Sequence, residues 1–200
     1  MDSLPVNRVR RLYGQGRSAA EIGDVLDCSW RKVISCMQRN GIPRRTRSDA
    51  TYLKANPTGD PFRIKTSLTP AEERLKALAI GLYWGEGTRR NPISVRIANS
   101  DPALLRVFVT FLRTICGVRP TKIRIQLLLH KDVNPKAALH YWAEQLGLPL
   151  SHFSRPTILP SRGKGTYKHR VQWGTALLCV SNMRLRRIFQ EWLNEYAHVA

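Results

Sequence analysis

Apolar residues recur at helical intervals along the first forty positions. Val6, Val9 and Leu12 make one stripe, Ala20, Ile22, Val25 and Leu26 a second, and Trp30, Val33, Ile34 and Met37 a third, which predicts three short helices. Gly14 and Gly16 separate the first pair. Ser18 with Glu21 reads as a capping box, and Ser29 as the cap of the third helix. The second and third helices are joined by the tight turn Leu26-Asp27-Cys28-Ser29. Two helices so joined have the geometry that lays the second in a DNA major groove. Ser29 to Asn40 is therefore the expected recognition helix, with Arg31, Lys32, Ser35, Gln38 and Arg39 as its DNA contacts and Trp30 on its apolar stripe as a core residue. Gly41-Ile42-Pro43 stops that helix, and Arg44, Arg45 and Arg47 come next as a basic arm suited to phosphates or a minor groove.

From residue 49 to 69 the chain is polar, carries Pro57, Gly59 and Pro61, and shows little periodicity, so it reads as a linker between domains at 1–48 and 70–200. The second domain opens at Thr69-Pro70 with a helix through Leu75, Leu78, Ala79 and Leu82. Strict alternation then marks strands at Ile93, Val95 and Ile97 and at Ile123, Ile125 and Leu127. Helices are expected after Asp101-Pro102 and Asn134-Pro135, short strands near Pro156 to Leu159 and within Val171 to Val180, a glycine-rich basic loop from Ser161, and a closing helix from Met183. The expectation is an α+β fold: a three-helix N-terminal domain, then a small antiparallel sheet with helices on one face.

Charge narrows the choice of partner. The 200-residue chain has 33 Lys and Arg against 14 Asp and Glu, a net charge of +19. So large an excess of one sign suits a polyanion better than it suits mere solubility. No apolar run approaches the ~18 residues of a membrane span, so double-stranded DNA is the expected partner, with no membrane and no small-molecule cofactor. Cys28, Cys36, Cys116 and Cys179 lack metal-ligand spacing and sit mostly among apolar neighbours. They read as reduced core thiols, which places the protein in the cytoplasm, at the nucleoid if it is bacterial.

The stretch Ala79-Ile80-Gly81-Leu82-Tyr83-Trp84-Gly85-Glu86-Gly87, with Asn99-Ser100-Asp101 downstream of it, resembles the LAGLIDADG homing-endonuclease motif and its neighbourhood. The resemblance runs from residue 70 to about 197, with Trp84 in place of the motif's first acid. It implies a single-motif unit whose motif helices pair across a two-fold axis, so that the sheets form a saddle over DNA. It assigns a metal-binding, catalytic role to Glu86 with Mg2+ as cofactor, and it turns Arg96, Arg124 and Gln126 toward DNA. By charge, Lys122, Lys164, Lys168 and Arg170 are further phosphate contacts.

The residues themselves carry part of this reading. Gly81 and Gly85 stand four apart on one helix face, and each costs about 1 kcal/mol relative to Ala in a helix interior. Close approach of a second helix is a reason to keep them, and makes them the expected dimer interface. Glu86 lies at the helix C-terminus, where the macrodipole opposes an anion by roughly 0.3 to 1 kcal/mol; a divalent cation between two copies of it reverses that penalty. The plainer alternative is a helix that simply stops at Gly-Glu-Gly. Asp101 reads as a helix cap, and Trp84, Trp142, Trp173 and Trp192 as core. Three functions remain open: a Mg2+-dependent homodimeric endonuclease, a non-catalytic regulator on the same fold, and an RNA-binding protein, of which only the last gives no reason for the helix pair.

Overall fold

The computed structural model describes residues 4–160 and 171–198. The chain divides into two units, residues 1–60 and 61–200.

The first unit contains α1 (Val6–Gly14), α2 (Ala19–Val25), α3 (Trp30–Arg39) and α4 (Arg47–Ala55). Val9, Leu12, Ile22, Val33, Met37 and Ile42 form its core. The Ser18–Glu21 capping box is present, and the Ser29 hydroxyl accepts the Lys32 N–H at 3.4 Å. The turn into α3 is tight enough to select two residues. Asp27 adopts the left-handed conformation at φ 48°, which a short polar side chain tolerates. A Cβ on Gly23 would stand 2.5 Å from the Cys28 carbonyl oxygen, so only glycine fits beneath the turn.

The second unit is α+β. It comprises α5 (Pro70–Glu86), β1 (Val95–Asn99), α6 (Pro102–Thr114), β2 (Ile123–His130), α7 (Pro135–Leu146), β3 (Thr157–Leu159), β4 (Thr175–Val180) and α8 (Met183–Ala197). The strands form one sheet in the order β1-β4-β2-β3. Inward residues alternate along each long strand: Val95 and Ile97; Ile123, Ile125, Leu127 and Leu129; Ala176, Leu178 and Val180. Against them pack Tyr83 of α5, Phe108 and Phe111 of α6, Trp142 of α7 and Phe189 of α8. Phe189 is the hub, edge-on to Tyr83 at 5.0 Å, to Phe111 at 5.7 Å and to Phe108 at 6.0 Å between ring centroids.

Four expectations are corrected. The sheet is mixed rather than antiparallel: β2 and β3 are joined by α7, and a crossover of that length returns the chain parallel to its starting strand. The segment 49–69 is not a linker. Part of it is α4, and from Pro61 onward it belongs to the second unit, where the Arg63 and Lys65 N–H groups donate to Cys116 and Ile115 carbonyls and Phe62, Ile64 and Leu68 pack on the core. Ile93 lies outside the sheet and is exposed. Among the thiols only Cys116 is buried.

Two outcomes are expected of this core. Phe189→Ala removes the hub of the aromatic cluster and is expected to lower unfolding free energy in urea by about 3–5 kcal/mol. Burial also pushes the Cys116 thiol well above its ordinary range, so its thiolate is scarce. Alkylation of the folded protein at pH 8, mapped by peptide mass, should spare Cys116 and mark it only after denaturation.

Candidate nucleic-acid interface

Three surfaces carry the residues singled out from the sequence. On α3, burial of Val33 and Met37 turns Arg31, Lys32, Gln38 and Arg39 to solvent. Arg39 donates to the Ser35 hydroxyl at 3.0 Å, so this pair is already coupled along the helix. Trp30 is not core. It is the first residue of α3, 52% exposed, with the Arg31 guanidinium 5.4 Å from its ring centre. Its phase on the apolar stripe is right, but the helix begins there and no preceding turn covers it.

The basic arm divides by role. Arg44 is exposed. Arg45 is a clamp: its guanidinium stacks 3.8 Å over the Tyr13 ring and donates to the Arg17 carbonyl at 3.3 Å, while its N–H donates to the Tyr13 hydroxyl at 2.8 Å. Arg47 is not in the arm but opens α4, capped by Thr46.

The second surface is the face of the sheet opposite the core. Cys179 on central strand β4 has Arg96 as its register partner on β1 and Arg124 as its partner on β2. In the next row on that face, Leu177 stands between Ala98 and Gln126. Arg96, Arg124, Gln126, Leu177 and Cys179, with Ile125 and Ser154, line one cavity of about 150 Å³. The structure thus gathers Arg96 with Arg124 and Gln126, which the sequence had placed on two different strands. Arg124 donates to the Ser151 carbonyl at 2.8 Å and Gln126 to the Thr157 hydroxyl at 2.9 Å, whereas among the described residues the buried Nε of Arg96 has no hydrogen-bond partner. A guanidinium left short of an acceptor at a cavity wall is suited to an anion. Cys179, read as core, belongs to this face; its parity with Thr175 and Leu177 along β4 is the signal that places it there. Lys122 sits in a short 3-10 turn before β2 rather than in the strand. Lys164, Lys168 and Arg170 lie outside the described residues.

The third surface is the outer side of α5. Ala79, Ile80 and Tyr83 face inward, leaving Leu78 at 53% and Trp84 at 39% exposure with Gly81 and Gly85 between them. Trp84 is therefore half out of the core expected for it. A Cβ on Gly81 or Gly85 would meet nothing within 4 Å, so no packing among the described residues demands either glycine. Gly87 differs: a Cβ there would collide with the Tyr83 carbonyl and ring. Glu86 ends α5 exposed. Among the described residues no group of three or more His, Cys, Asp or Glu stands close enough to hold a metal ion. Mg2+ is ordinarily held by one or two carboxylates with water completing its octahedron, and Glu86 offers one such carboxylate at the end of α5.

No described helix is long and apolar enough to cross a membrane. No family model, curated protein or solved structure matches this chain.

Proposed function

We propose that this protein binds double-stranded DNA, sequence-specifically, as a homodimer. The observation that carries the proposal is the half-exposed outer sheet face, where two arginines flank Cys179 in register and share a cavity with Gln126, on a unit that holds most of the chain's cationic excess. In the first unit, α2 and α3 act as a helix-turn-helix, with Arg31, Lys32, Ser35, Gln38 and Arg39 facing the major groove and Arg44 on phosphate. Arg45 orients the arm rather than contacting DNA. Joined in one chain, the two units raise each other's effective concentration on the duplex.

The second unit acts as a single LAGLIDADG-like unit. The glycines of α5 support pairing through that helix, because they weaken the helix and serve no close packing among the described residues. Pairing brings two Glu86 carboxylates together, and cleavage of a phosphodiester with Mg2+ is then a property of the dimer only. The bound ions would supply Lewis-acid stabilisation of the leaving oxygen, with Glu86 holding them. A second reading, a non-catalytic regulator that uses the same surfaces as a clamp, is favoured by the single carboxylate each chain contributes.

Selection from a randomised duplex library in Mg2+ tests both. Wild type and Glu86→Gln are expected to enrich the same motif, with an excess of structured RNA failing to compete. Cut molecules with wild type alone would establish the nuclease; a motif without cuts in Mg2+ or Mn2+ leaves the regulator; no enrichment rejects the proposal. Dimerisation has its own check. Gly81→Ala should stabilise the monomer by about 0.4–1 kcal/mol, and Gly81→Leu should abolish pairing measured by light scattering on DNA. A monomeric wild type under those conditions would sink the paired-helix arrangement.

A further inference from the structure

Arg186 of α8 is 5% exposed, and among the described residues no carboxylate lies within ion-pair distance of it. A buried guanidinium is retained only when its N–H groups are satisfied, and its acceptors show what it is for. Nε donates to the Asn91 carbonyl at 3.2 Å and Nη2 to the Arg89 carbonyl at 2.9 Å. Nη1 and Nη2 share the Gln190 side-chain oxygen one helical turn on, each at 3.3 Å. The fork therefore grips two carbonyls two residues apart in the connection from α5 to β1.

That connection has little else to hold it. The Thr88 N–H donates to the Arg96 carbonyl at 2.9 Å, Asn91 caps the Ile93 N–H locally at 3.0 Å, and Ile93 is exposed. Among the described residues, every side-chain hydrogen bond reaching the turn from elsewhere in the chain belongs to Arg186. With the carbonyls of Arg89 and Asn91 drawn inward, the side chains of Arg89 and Arg90 are exposed. Three cations stand in or against this turn, and none has an ion-pair partner among the described residues.

We propose that Arg89 and Arg90 form a phosphate-binding turn for duplex DNA and that Arg186 is its positioning residue. This rests on the DNA-binding reading and adds a contact assigned by neither the helix pair nor the sheet cleft. Lysine cannot replace Arg186, because one ammonium cannot span both carbonyls and Gln190.

The test is duplex affinity of the full chain as a function of salt, for wild type, Arg89→Ala/Arg90→Ala and Arg186→Lys, using one random-sequence duplex. Each lost phosphate contact lowers the slope of log K against log salt by about 0.9. The double variant, at exposed positions that leave the fold intact, should lose about 1.8. Arg186→Lys conserves charge, so a fall in its slope, together with faster hydrogen exchange over residues 88–93 and unchanged exchange in the core strands, marks loss of position rather than loss of charge or fold. An unchanged slope in the double variant overturns the phosphate site while leaving DNA binding standing. Protected exchange and a wild-type slope in Arg186→Lys overturn the positioning role. Absence of duplex binding by wild type removes the DNA-binding reading and this turn with it.

Discussion

All four described helices of the second unit send side chains into the core on one face of its sheet. The inward positions Val95 and Ile97, Ile123 to Leu129 in alternation, and Ala176, Leu178 and Val180 are apolar and buried, largely against the ring cluster around Phe189, and this burial is the main source of stability in the unit. The opposite face is set by parity. Because side chains alternate strictly along a strand, whatever is not in the core must face out, and register then sets which outward residues meet. Arg96, Cys179 and Arg124 form a row for that reason, not because their neighbours in sequence bring them together.

Cations in this chain divide into those that build and those left available. Arg45 stacked on Tyr13 and Arg186 buried beneath the 88–93 connection each donate to backbone carbonyls of other basic residues, Arg17 in one case and Arg89 in the other. Net charge alone does not separate the classes. A guanidinium can do either job because it is planar, permanently charged and carries five donors; which one it does depends on whether carbonyls or solvent lie in front of it.

Helix α5 places two demands on one segment. Its inner side joins the aromatic core through Ala79, Ile80 and Tyr83, and its outer side leaves Leu78 and Trp84 in water around two glycines. From Ala77 to Gly85 this helix is apolar all round, and such a stretch is ordinarily enclosed on all sides. The proposed second copy supplies the missing side and sets one Glu86 beside another.

By itself the sequence determined most of the elements and where many of the helices begin, though it missed α4. Ser18, Ser29, Thr69, Asp101 and Asn134 cap the helices they were expected to cap, since caps depend on residues within one turn of each other. The alternation that marks β1 and β2 also assigned Arg96, Arg124 and Gln126 to the outward face. What crosses the chain was decided only by the tertiary structure: the parallel pairing of β3, the docking of residues 61–68 on the second unit, the exposure of Trp30 at a helix start, and the position of Cys179 between two arginines. Periodicity states which side of an element is apolar. Whether anything lies against that side, and what stands beside its polar residues, depends on packing between segments as much as 97 residues apart, as Arg186 and Arg89 are.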